Sequence, residues 1–304
     1  MMHIIMNYGF SQDELPMKQW DFAFWGQEID QRGVDGISAL TKNTHVCKKV
    51  VYIATECSLL IDDRDKIGVD DIEEYLEKMN ISKESKVILE CTTLGFAEIL
   101  VLMQAFKNLE CTILDALYLE PKHYGKISDS RLNERNYNLT TSFEGFLAIP
   151  GQALAFEQGD RALALCGYEA ERVSRAFDEI DLQGQNCQLV FGVPPYVIGW
   201  DMNSYISHLS VIDSNNISTE FYYCGASNPL SVYQRIEKIY RGLDEEQKLF
   251  ILPFGTKPMS LGACAFIVTH NEENKLSVLF DHPQKRHERS KEVGKWNLYS
   301  FSYD

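Results

Sequence analysis

Short apolar runs alternate with helical stretches along most of the chain. Residues 21–26, 49–55, 86–95 and 111–119 each read as a strand, and the strand over 111–119 is predicted to stop at Glu120-Pro121, where proline cannot extend a ladder. Residues 70–79 carry apolar positions at helical spacing, acids in the first turn and a lysine near the end, as the helix dipole favours. Residues 96–106 are almost wholly apolar and predict a helix buried on several sides. Before the first strand the chain reads as a polar lead-in, and after it residues 27–35 read as a charged loop.

A polar, tyrosine-rich stretch over 122–138 reads as a long loop and marks the boundary between two halves, with 146–151 closing it. The second half repeats the plan. Strands are predicted over 161–166, 187–192, 220–224, 249–252 and 275–280, and helices over 170–180, around 204–212, and from 229 to about 243. The near-continuous apolar strands and their alternation with helices predict an α/β fold. The sheet should be mostly parallel, doubly wound and Rossmann-like, with helices on both faces. Antiparallel additions, especially near the C-terminus, are the alternative. The halves are taken as 1–148 and 149–304.

Composition narrows the functional classes. The chain has 304 residues, 45% of them hydrophobic, and a formal net charge of −15. That acidity argues against an extended nucleic-acid surface and leaves room for a small local basic pocket. The eight cysteines form no CxxC pair and several lie in apolar runs, so they read as reduced, buried thiols in a reducing compartment. The seven histidines lack metal-ligand spacing, and the first twenty residues lack the apolar core of a signal peptide. A cytoplasmic location with no membrane association is the expectation.

In open parallel sheets, ligands bind at the carboxyl ends of the strands. The residues predicted there include Thr92, Thr93 and Gly95; Glu120; Gly167, Tyr168 and Glu169; Gly225, Ser227 and Asn228; and Gly255, Thr256 and Lys257. Glycines and hydroxyls are also what any strand-to-helix turn favours, as caps. Lys257 is different, because a structural cap requires no cation. A glycine, a hydroxyl and a lysine between a buried strand and a helix form a ready anion site. Glu169 and Glu120 are the candidate acid/base residues for phosphoryl or glycosyl chemistry. No GxxxxGK[ST] loop, GxGxxG turn or GxSxG elbow is present, and no cofactor is identified.

The turn Gly255-Thr256-Lys257-Pro258-Met259-Ser260 after an apolar strand resembles the Gly-Thr-Lys motif of CRISPR-associated Rossmann-fold (CARF) proteins. Phe254 stands where a second glycine is common in that family. The resemblance implies a Rossmann-like sheet whose turn helps to bind cyclic oligoadenylates at a dimer interface, with Thr256 and Lys257 the positions carried over. No ribonuclease RxxxxH motif, restriction-type nuclease signature or basic helix-turn-helix follows. Three functions stay open. The first is a sensor or accessory subunit in a bacterial defence or regulatory system, binding a nucleotide or other phosphorylated small molecule. The second is an enzyme acting on a nucleotide. The third is a protein-interaction subunit with a vestigial pocket, its partner a second copy of the chain or another protein.

Overall fold

The computed structural model describes residues 2–124, 137, 139–218, 221–270 and 274–303. The chain divides into two compact units, Met1–His123 with His287–Asp304, and Tyr124–Arg286. The division falls at the end of a strand instead of at 148/149, and the last eighteen residues return to the first unit. Both units are α/β, as the alternation of apolar strands and helices predicts.

The first unit holds an eight-stranded sheet built from β1 (Met2–Gly9), β2 (Trp20–Trp25), β3 (Thr44–Ile53), β4 (Ser58–Ile61), β5 (Asp65–Gly68), β6 (Val87–Glu90), β7 (Ile113–Tyr124) and β15 (Ser290–Tyr303). Their order is β1-β15-β7-β6-β2-β3-β4-β5. The stretch β7-β6-β2-β3 is parallel throughout. Three antiparallel pairs flank it: β3 with β4, β4 with β5, and β1 with β15. Helices α1 (Gln31–Thr41), α2 (Ile72–Lys78) and α3 (Phe96–Asn108) make the crossovers.

Three local expectations change here. The polar lead-in contains β1, which pairs along its length with β15 at the other end of the chain. The charged loop becomes α1, started by Asp30, whose side chain accepts from the Gly33 amide as an N-cap. Strand β7 continues past Pro121 because β6 ends at Glu90, opposite Leu117, so the missing proline N–H lies beyond that ladder.

The second unit holds β9 (Arg161–Cys166), β10 (Cys187–Gly192), β11 (Phe221–Cys224), β12 (Leu249–Pro253) and β13 (Leu276–Val278), and a two-stranded ribbon of β8 (Thr140–Phe143) with β14 (Pro283–Lys285). Every ladder of the five-stranded sheet is parallel, in the order β11-β10-β9-β12-β13. Counted within this sheet the order is 3-2-1-4-5, the strand order of a Rossmann sheet. Helices α4 (Ala170–Ile180) and α5 (Trp200–Ser214) pack together, as do α6 (Pro229–Tyr240) and α7 (Lys257–His270). With right-handed crossovers, that pairing puts one couple on each face of the sheet.

Burial follows the sequence pattern. All five residues of β12 are buried, as is every residue from Pro258 to Val268 of α7, which agrees with a helix apolar on all sides. Six of the eight cysteines are buried and all are free thiols; burial pushes the Cys111 thiol up to about 11 and that of Cys187 up to about 12.

On α5, His208 is fully buried, and its Nδ1–H donates to the Ser204 carbonyl at 2.8 Å. Its Nε2 finds no partner among the described residues, and the ring meets Phe191 edge-on. Burial pushes its pKa down to about 4. The unfolded chain, with a histidine near 6.5, therefore binds more protons between those two values, and stability falls as pH falls through that window. Each tenfold change in proton affinity is worth about 1.4 kcal/mol, so the expected loss from pH 6.5 to 4 is about 3 kcal/mol from this residue. Urea unfolding across that range should show the slope, and His208→Gln should flatten it.

Candidate functional site

The candidates chosen from sequence fall on two different sheets. Thr92, Thr93, Gly95 and Glu120 belong to the first unit, and Gly167, Tyr168, Glu169, Gly225, Ser227, Asn228, Gly255, Thr256 and Lys257 to the second.

In the first unit the order β7-β6-β2-β3 reverses between β2 and β6, so the crevice belongs at the turns after these strands. That place is filled by the protein itself. The Glu90 carboxylate, at the end of β6, is wholly buried and accepts from the Thr92 and Thr93 amides at 3.2 and 2.8 Å and from the Thr93 hydroxyl at 2.5 Å. Burial drives its pKa up against the pull of these donors. Thr93 Oγ1 also accepts from the Gly26 amide, and Thr92 Oγ1 from that of Leu119. A Cβ on Gly26 would lie 2.7 Å from the Thr93 carbonyl oxygen, so the two turns touch backbone to backbone. The pair of hydroxyls that suggests a phosphate cap is engaged in holding an internal carboxylate. Gly95 precedes α3 as its N-cap, beside Glu98. Glu120 is 2% exposed and accepts from Asn297 Nδ2 at 3.2 Å, which gives it a structural partner.

In the second unit the order reverses between β9 and β12. The turns after these strands are Gly167-Tyr168-Glu169 and Phe254-Gly255-Thr256-Lys257. They meet closely, since a Cβ on Gly167 would lie 2.4 Å from the Phe254 carbonyl oxygen. Thr256 caps α7, accepting from the Met259 amide at 3.4 Å, and donates its proton to the Ala226 carbonyl at 2.6 Å. That bond ties the β12 turn to the β11 turn. There Asn228 Oδ1 caps α6 by accepting from the Ser231 amide, ahead of Pro229 in the first helical turn. Gly225 sits against Asn228, and Ser227 is half-buried in the same turn. The ends of three strands and the N-termini of two helices thus share one edge, with half-buried Lys257 as the first residue of α7.

Other groups frame this edge. Both oxygens of Glu169 are taken by the β8 segment: Oε1 accepts from the Leu139 amide at 3.0 Å and Oε2 from the Thr140 hydroxyl at 2.8 Å. The carboxylate offered from sequence as an acid/base is an anchor in the fold. Tyr168 stands in an aromatic cluster with Tyr124, Tyr137 and Trp200, at ring-centroid separations from 4.6 to 6.3 Å. Asn203 donates to the Tyr137 hydroxyl at 3.0 Å. Burial, followed by the neighbouring Tyr124 and Tyr137, pushes the Tyr168 phenol up. Trp200 and Asn203 escape a reading by strand ends because they open a helix eight residues past β10. Tyr124 and Tyr137 lie inside the stretch read as a loop, most of which falls outside the described residues.

Arg172, in the first turn of α4, holds the β12 turn from behind. Its guanidinium binds Asp281 through two nitrogens and lies 4.4 Å from the centre of the Phe254 ring. Asp281 is fully buried, so the pair is a desolvated one.

A cleft of about 410 Å³ opens elsewhere on this unit, lined by Arg161, Gln185, Asn186, Gln188, Ser218, Tyr222 and Gln247. Arg161, Gln188, Tyr222 and Gln247 lie within two residues of the starts of their strands, so the cleft belongs to the amino edge, opposite the turns chosen from sequence. The backbone amides and helix N-termini of a parallel sheet gather at its carboxyl edge, where such sheets bind ligands. Among the described residues no group of histidine, cysteine and acidic side chains could hold a metal, and no helix is long and apolar enough to cross a membrane.

No protein-family model matches this chain, and a search of curated proteins finds no match. Among solved structures, a ketoreductase domain from the bacillaene assembly line aligns at 11% identity over 83% of this chain. The alignment spans 63% of that domain's length, and the TM-score of 0.21 is too low to bear on fold or activity.

Removing Arg172 tests the support of the β12 turn. Arg172→Met strands a buried carboxylate and should cost about 3–5 kcal/mol in urea unfolding. Arg172→Met with Asp281→Leu, which removes both charges, should recover most of it.

Proposed function

We propose that the second unit binds a nucleotide or another phosphorylated small molecule at the carboxyl edge of its five-stranded sheet. The strand order carries this reading. The 3-2-1-4-5 arrangement brings the Gly167 and Gly255 turns together at the reversal point, where parallel sheets bind ligands, and puts Lys257 and the start of α7 beside it. Helix N-termini favour anions, and a lysine adds a full charge that the cap at Thr256 does not need.

The likeness of Gly255-Thr256-Lys257 to the CARF turn extends the reading to a cyclic or linear oligonucleotide, with the chain acting as a sensor or accessory subunit in a bacterial defence or regulatory system. Binding is favoured over catalysis because both candidate acids have structural partners, Glu169 with Leu139 and Thr140, and Glu120 with Asn297. In this reading, Gly225, Ser227, Asn228 and Tyr168 shape the rim, and Lys257 supplies the charge.

A thermal-unfolding screen with ATP, ADP, pyrophosphate and cyclic oligoadenylates tests the reading. A ligand at a hundred times its Kd should stabilise the protein by about 2.7 kcal/mol. Lys257→Ala should remove most of that gain, whereas Arg161→Ala, at the amino-edge cleft, should leave it intact. An unchanged gain in Lys257→Ala would overturn the assignment.

A further inference from the structure

We infer that β1 is a homodimerisation strand, pairing antiparallel with β1 of a second copy across the open edge of the eight-stranded sheet. Strand β1 is hydrogen-bonded to β15 on one side and ends the sheet on the other. An edge strand presents unpaired N–H and C=O groups along its length. Soluble proteins usually blunt such edges with lysine, proline, bulges or short strands. None of these is present in β1. Its eight residues contain no proline, aspartate, glutamate, lysine or arginine, in a chain that is 24% charged. Its pairing with β15 runs without a register shift from Met2 to Gly9. Three of its apolar side chains are exposed, Ile5 61%, Met6 40% and Tyr8 67%, followed by Phe10 at 70%.

The other described sheet edges are guarded. Strand β5, at the far end of the same sheet, has four residues and carries Asp65 and Lys66. In the second unit, β11 has four residues and β13 three.

Charge selects the occupant. With a net charge of −15, two copies repel over most surfaces, and they meet at least cost where the contact strand itself carries no charge. The cation Lys295 lies over the rings of Tyr8 and Phe10 at one end of the strand. Antiparallel pairing sends the two Lys295 groups to opposite ends of the joint. A two-fold axis at Ile5 sets Ile5 of one copy opposite Ile5 of the other and Tyr8 opposite Met2, because residues opposed in a ladder share a face of the sheet. The contact is isologous, so it uses up both β1 edges and leaves the short, charged β5 strands outermost. Assembly therefore stops at two.

Light scattering on the full chain across roughly 1–100 μM tests the inference at concentrations where modest dimers form. The expected mass at the upper end is twice the 34.8 kDa of one chain. Ile5→Lys should return the mass to one chain while leaving the far-ultraviolet circular dichroism unchanged, and Ile5→Thr, uncharged and β-branched, should keep the dimer. In the wild type, hydrogen exchange of the β1 amides should slow as concentration rises. A single-chain mass throughout, a dimer that survives Ile5→Lys, open-ended growth, or β1 exchange independent of concentration would each overturn the proposal.

Discussion

The second unit depends on one close approach, the packing of the Gly167 backbone against the Phe254 carbonyl. A side chain at Gly167 would force the ends of β9 and β12 apart, and these are the neighbouring central strands where the order reverses. Around that contact the rest of the edge is assembled by short polar links. Thr256 reaches the Ala226 carbonyl, Asn228 caps α6, and Arg172 holds Phe254 from behind while paired with Asp281. Each link satisfies a backbone or charged group that would otherwise be left unpaired, and Lys257 is the charged side chain that the capping scheme does not require.

The first unit solves the same geometric problem differently. Its reversal point lies between β2 and β6, and a Cβ on Gly26 there would lie 2.7 Å from the Thr93 carbonyl oxygen, against 2.4 Å for Gly167 and Phe254. The donors of the turn ahead of α3 are taken up from within, by the buried Glu90 carboxyl. Two Rossmann-style turns with similar sequence signatures thus differ in what occupies them. A carboxylate one turn before the hydroxyls fills the first, and a lysine after the hydroxyl marks the second.

Much of this was legible in the sequence. The strands β2, β6, β9, β10 and β12, and the buried helices α3 and α7, announce themselves as apolar runs, since burial on both faces removes any need for polar alternation. Strands β1 and β15 were not legible. Their partners lie at opposite ends of the chain, and the first half of β15 is charged, so no local window reveals the pairing. Helix α1 was hidden by its two glycines, Gly33 and Gly36, and α1 is started by Asp30 and not by a strong helix-forming run. At the sites, residue types at strand ends were readable, but their partners were not. Nothing in the sequence shows that Glu90 takes the Thr92 and Thr93 donors, that Glu169 serves Leu139 and Thr140, or that Trp200 joins Tyr168.

The central claim is the proposal that the carboxyl edge of the second sheet takes an anionic ligand, whereas the corresponding donors of the first sheet are engaged by Glu90. Hydrogen–deuterium exchange with ATP, pyrophosphate and a cyclic oligoadenylate as probes measures this directly. The account predicts slowed exchange confined to peptides spanning residues 165–172, 224–232 and 253–262, with none at 90–98. Protection at 90–98, or at the amino-edge segments carrying Arg161, Gln188 and Gln247, with the carboxyl-edge peptides unchanged, would contradict it.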